Sequence, residues 1–137
     1  MGWKFYELDR IAQRLVIDAK HRDDRLAQSS QKSLPQAHKM RLAVSYGLER
    51  FWGEHLRLEA REENKSMFWQ ATWTEFVGIM HRAGIEIPNT TVDRMPEKLW
   101  ALEPETQRVA LAVLTQLCDA MIWWTQRYKN GSLDNDD

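Results

Sequence analysis

Apolar and polar positions along this chain recur with a helical period almost throughout, and the longest such run lies towards the C-terminus. The pattern there predicts a helix from Glu105 to about Lys129, with Pro104 in the first turn, where proline is tolerated, and Asn130-Gly131 as its stop. Val109, Ala110, Leu111, Val113, Leu114, Leu117, Cys118, Met121, Trp124 and Tyr128 spread over well over half of its circumference, while Arg108, Thr115, Gln116, Asp119 and Gln126 share one narrow polar strip. A surface helix needs an apolar stripe of only about 100°. This helix is therefore expected to be central and nearly enclosed, yet its polar interruptions and length do not suit a bilayer.

A first helix is predicted from about Lys4 to Leu26 or Gln28, with Phe5, Leu8, Ile11, Ala12, Leu15, Val16, Ala19 and Leu26 on one face and Arg10, Arg14 and His21 off it. Asp18, Lys20, Arg22, Asp23, Asp24 and Arg25 make its second half so polar that this half is expected to protrude or fray. Ser29 to Ser33 has the composition of a linker. Pro35 then opens a second helix expected to run unbroken to about Glu62, with Met40, Val44, Gly47, Leu48, Phe51, Trp52, His55 and Leu58 as its main face. Gly47 falls on that face, so close approach of another helix is the expected reason for it. Gly47 and Gly53 would each cost about 1 kcal/mol relative to alanine in a helix interior. Leu42 and Tyr46 point the other way and mark a second contact surface.

Ser66 is the expected N-cap of a third helix that ends at Ala83, with Gly84 just beyond it. After the extended stretch Ile85 to Asn89, Thr91 or Asp93 is expected to cap a short fourth helix through Met95-Pro96 to Leu102, setting Leu99 and Trp100 against the bundle. The expected fold is all-α: one bundle domain over residues 1–131, of about five helices, with the second and third packed on the central C-terminal helix. Residues 132–137 form an acidic tail expected to be disordered.

A chain of 137 residues can bury one core without staples. Its formal net charge of −1 excludes a uniformly basic coat, but the charges are unevenly placed. Between residues 10 and 41 stand eight basic residues, Arg10, Arg14, Lys20, Arg22, Arg25, Lys32, Lys39 and Arg41, against three acidic ones, Asp18, Asp23 and Asp24, for a net +5. Two readings are open. The basic residues keep a small domain soluble, or they form a stripe that tracks phosphates and carries no sequence information. The single cysteine, Cys118, cannot form a disulfide within the chain, so a reducing compartment is expected. With no apolar segment or cleavage site at the N-terminus, the expectation is a soluble, cytoplasmic protein with no membrane partner.

His21, His38, His55 and His81 include no pair at the spacing that puts two ligands on one helical face, so no metal site and no cofactor are expected. Of the seven tryptophans most are expected in the core. Trp123 is the exception, lying at the edge of the polar strip; with Leu42 and Tyr46 it is a candidate partner contact. Arg50-Phe51-Trp52-Gly53-Glu54-His55 fits the Arg-x4-6-His spacing of HEPN ribonucleases. In such a site Arg50 would steady a phosphate and His55 would act as acid or base in attack by an RNA 2′-hydroxyl. Phe51 departs from that family's polar residue after the arginine, and Arg14 to His21 gives a second, incidental match to the spacing.

The segments Leu99-Trp100-Ala101-Leu102-Glu103, Arg108-Val109-Ala110-Leu111-Ala112-Val113-Leu114 and Ile122-Trp123-Trp124-Thr125-Gln126-Arg127-Tyr128 resemble the small subunit of type III (Cmr-like) CRISPR effector complexes. Tyr46-Gly47-Leu48-Glu49-Arg50-Phe51-Trp52 is similar to that family's glycine-leucine turn of helix. The resemblance implies a non-catalytic helical subunit that stacks with partner subunits of a ribonucleoprotein complex, self-association included. It also implies contact with the backbone of guide RNA and of target RNA or single-stranded DNA through basic residues. The HEPN-like nuclease and a helical protein-protein adaptor stand as the alternatives.

Overall fold

The computed structural model describes residues 5–26 and 32–128. They form six helices: α1 (Phe5–Asp24), α2 (Gln36–Val44), α3 (Leu48–Glu59), α4 (Glu63–Arg82), α5 (Met95–Trp100) and α6 (Pro104–Tyr128). No strand occurs among the described residues, and the all-α expectation holds. The acidic tail lies outside the described residues, as do Trp3, Lys4 and most of the Ser29 to Ser33 linker.

α1 buries Leu8, Ile11, Ala12, Leu15, Val16 and Ala19, at the three- and four-residue spacings that place one stripe against its neighbours, α6 and α4. Its charged second half neither protrudes nor frays. Asp23 falls in register with Ala12, Val16 and Ala19 and is only 1% exposed. Its carboxylate accepts hydrogen bonds from the Ser33 N–H (2.9 Å), the Ser33 hydroxyl (2.9 Å), the Leu34 N–H (3.0 Å) and the Asn64 amide (2.7 Å). One buried side chain thus ties the end of α1 to the entry of α2 and the first turn of α4. The polarity that reads as a loose helix end is the polarity of a clasp.

The helix expected to run unbroken from Pro35 to Glu62 is two helices. Gly47 separates them with φ +101° and ψ 171°, a conformation open essentially to glycine alone. No heavy atom lies within 4 Å of the position a Cβ would take, so backbone conformation accounts for this glycine and the expected close helix approach does not. α2 closes with Tyr46 N–H to Ala43 C=O and Gly47 N–H to Val44 C=O bonds, and α3 starts afresh at Leu48. The apolar face still continues across the break, since Met40, Val44, Leu48, Phe51, Trp52 and Leu58 are all buried.

α4 begins at Glu63, earlier than expected, so Ser66 is no cap. It is buried inside the helix, and its hydroxyl donates to the His55 carbonyl of α3 at 2.8 Å. The other end is as expected. Gly84 at φ +85° follows the helix, and bonds from Ile85 N–H to Met80 C=O and from Gly84 N–H to His81 C=O complete a Schellman motif. Phe51 packs on Trp69 at 4.9 Å between centroids, and Trp73 on Phe76 at 5.2 Å, which makes α3 and α4 one aromatic layer.

α6 packs chiefly on α1 and α2, and only lightly on α4; α3 belongs to α4. The expectation that the second and third predicted helices pack on it therefore holds for α2, the first half of the second, and only lightly for α4, the third. The fully buried stripe is Ala110, Val113, Leu114, Leu117, Cys118, Met121 and Thr125, while Val109, Leu111 and Trp124 are half-buried and Ala112 is exposed. α6 is thus a long core-facing helix with an open back. Burial pushes the Cys118 thiol up to about 12, so it stays protonated and inert at neutral pH.

Candidate nucleic-acid and partner interface

The eight basic residues do not share one face. On α1, Arg10, Arg14 and His21 are exposed within about 40° of one another around the helix, and Arg25 is exposed in the turn just beyond its end. Glu7, Asp18 and Asp24 are exposed beside them, so the line is basic but punctuated. Lys20 leaves it, bonded to Asp24 at 3.1 Å with its side chain 13% exposed. Arg22 turns inward: it is half-buried, and its Nε and one terminal nitrogen are enclosed without a hydrogen-bond partner. Grouping Arg22 with the solvent-facing arginines is thereby corrected.

The remaining three lie elsewhere. Lys32 is half-buried next to the Asp23 clasp, and Arg41 of α2 is paired with Asp119 of α6 at 2.9 Å. Lys39 is exposed on α2. Both α1 and α2 lie on α6, with little contact between them.

The three candidate partner contacts are all open to solvent: Leu42 is 69%, Tyr46 70% and Trp123 59% exposed. Sequence reasoning missed Trp100, which is 64% exposed although placed against the bundle by expectation. Met95 and Leu99, four apart, take the inner face of α5, and Trp100 stands one position further round. That spacing was the available signal. Among the described tryptophans Trp52 and Trp69 are buried and Trp73 and Trp124 pack half-buried against the core, so the expectation that most of them belong to it holds.

The break at Gly47 has a consequence for this surface. It turns the chain so that Tyr46, in the turn after α2, and Arg50, in the first turn of α3, border two adjoining hollows. One, of about 250 Å³, is lined also by Lys39, Leu42 and Trp69 of its floor. The other, of about 340 Å³, is lined also by Gly47, Leu99 and Trp100. The Arg50 guanidinium sits 5.9 Å from the centre of the Tyr46 ring. Residues from three readings of the sequence, the basic set (Lys39), the partner set (Leu42, Tyr46) and the HEPN spacing (Arg50), thus meet at one elbow.

Arg50 and His55 themselves do not converge. Five positions along α3 separate their directions by about 140°. His55 Nδ1 is 2.6 Å from the Trp52 carbonyl of its own helix, a contact in which the ring nitrogen donates, and its ring packs edge-on to Trp52. Among the described residues no group of three or more His, Cys, Asp or Glu is placed to hold a metal ion. No described helix is long and apolar enough to cross a membrane. No family profile, curated protein or solved structure matches the chain.

Proposed function

We propose that this protein is a non-catalytic helical subunit of a nucleoprotein assembly, which contacts a nucleic-acid backbone through the arginine line of α1 and its protein partners through exposed apolar residues of α2 and α6. The small subunit of a type III CRISPR effector complex is the specific form suggested by the C-terminal resemblance, with guide RNA and target RNA or single-stranded DNA as the strands contacted. The observation that carries the reading is Arg10 and Arg14 on the exposed side of α1, with Arg25 exposed in the turn just beyond it, while the opposite side of the helix is committed to the core. The planar guanidinium fork suits phosphate oxygens, and several along one side of a domain can follow a strand's backbone. The three solvent-facing apolar residues Leu42, Tyr46 and Trp123 add surface that the fold itself leaves uncovered.

The test is Arg14→Glu combined with Arg25→Glu, measured on a single-stranded uridine oligomer across a salt series. Arg22 is left unchanged, because its buried nitrogens would confuse stability with binding. The double variant should melt like the wild type, bind several-fold more weakly, and flatten the plot of log affinity against log salt by about 1.4, from roughly 0.7 per lost phosphate contact. An unchanged slope would reduce the arginine line to a solvated face. Genes for large RNA-guided effector subunits are the expected genomic neighbours, and a gene for a nucleotidyltransferase antitoxin would favour the HEPN alternative.

A further inference from the structure

The elbow between α2 and α3 exposes aromatic rings beside cations, and neither the core nor the arginine line of α1 accounts for it. Tyr46 is 70% and Trp100 64% exposed, in a domain that buries Trp69 and Phe51 almost completely. Both exposed rings border the hollow of about 340 Å³. That volume lies at the lower end of pockets that hold small ligands, roughly 300–1,000 Å³. Gly47 leaves the space above the backbone there open, with nothing within 4 Å of a would-be Cβ. Lys39 and Arg50 stand in none of the ion pairs among the described residues, whereas Glu54 at the same rim is paired with Arg57. Glu49 is the one carboxylate lining these hollows that is likewise outside those pairs.

We propose that this elbow binds an unstacked base of a single-stranded nucleic acid, held against Tyr46 and Trp100, with Arg50 and Lys39 meeting the flanking phosphates. The inference rests on the proposed nucleic-acid role and goes beyond it: the α1 line reads charge alone, the elbow requires a base, and Tyr46 passes from the partner surface, left to Leu42 and Trp123, to the nucleic-acid site. A groove for a partner helix presents a row of aliphatic residues at three- and four-residue intervals. Here Leu42 is the single exposed aliphatic, and the lip otherwise carries the two exposed rings, the cations Lys39 and Arg50, and the carboxylates Glu49 and Glu54. Arg50 stands outside every ion pair among the described residues, and Lys39 is drawn on only at longer range, by Glu62, so both can turn to an anionic ligand. Exposed flat rings accept any base, since every base has a π face. Arg50 within cation–π distance of Tyr46 already keeps a charge beside the stacking surface.

The experiment compares a labelled uridine oligomer with an abasic sugar-phosphate oligomer of equal length, at low salt, by fluorescence anisotropy. The proteins are wild type, Tyr46→Ala, Trp100→Ala, Tyr46→Phe and the Arg14→Glu/Arg25→Glu double variant. Wild type should prefer the base-bearing strand. Tyr46→Ala and Trp100→Ala should each weaken its binding by about 5- to 150-fold, the range that base–aromatic stacking contributes, and leave abasic binding unchanged. Tyr46→Phe keeps the ring and should keep the preference, which separates stacking from any loss of folding. The double variant should lower binding of both strands alike. Equal binding of the two strands by wild type, or a preference that survives loss of the rings, overturns the base site and leaves the charge reading standing. No binding of either strand rejects both. A wild-type dimer in sedimentation that Tyr46→Ala or Trp100→Ala dissociates would assign the elbow to self-association and also overturn the proposal.

Discussion

A carboxylate that is 1% exposed must find its hydrogen bonds inside the protein, and Asp23 finds them in Ser33, Leu34 and Asn64. Hydrogen bonds to a charged group contribute about 1.5–3 kcal/mol each and are not additive. Asp23→Ala leaves several donors unsatisfied and should therefore cost about 3 kcal/mol, read as a lower urea midpoint with an unchanged slope. Asp23→Asn preserves the shape but turns one acceptor into a donor facing donors, so it should recover little. A mild asparagine variant would show that volume, not charge, holds the clasp. Arg22 teaches the same lesson from the neighbouring position. Sequence alone reads both as charged residues on a polar helix end, although the register of Asp23 with Ala12, Val16 and Ala19 was visible in it.

At the scale of elements, the two glycines of the stretch from Pro35 to Glu62 have opposite roles. Gly47 carries φ +101° in open space, so alanine there pays in backbone strain alone. Gly47→Ala should destabilise by about 1–3 kcal/mol. Gly53 lies inside α3, and a Cβ would stand 3.4 Å from the Glu49 side chain, a flexible neighbour. Gly53→Ala should be stabilising by up to about 1 kcal/mol. Thermal melts of the two variants that shift in the same direction would contradict the break between α2 and α3. The sequence could not separate these glycines, because the apolar period runs on across the break. A hydrophobic pattern records which face is buried, whereas a single positive φ changes the direction of the chain without disturbing that pattern.

At the scale of the whole molecule, α6 is the shared wall on which α1 and α2 lie, while α3 and α4 form the second layer. Leu114 and Leu117 are completely buried in it. Leu114→Asp or Leu117→Asp places an unpaired charge where no water reaches, and either variant should fail to give a soluble, cooperatively melting protein. Leu42→Asp, at a position 69% exposed, is the control and should melt within a few degrees of the wild type. Soluble, cooperative Leu114 and Leu117 variants would show that α6 is peripheral.

The amino-acid sequence by itself determined the helical class, the start of α6 and the identity of most core residues, because burying an apolar stripe is a local and periodic demand; the stop expected at Asn130-Gly131 lies outside the described residues. It also marked Leu42, Tyr46 and Trp123 as surface, since each lies off its helix's apolar arc. Only the tertiary structure decided which charges face solvent. Lys20, Arg22, Asp23 and Arg41 find their surroundings in the folded chain, Asp23 and Arg41 through partners 10 to 78 positions away. It alone brought Lys39, Tyr46, Arg50 and Trp100 around one elbow. Such a meeting depends on one glycine's backbone angle and on where α5 docks, and neither leaves a period in the sequence.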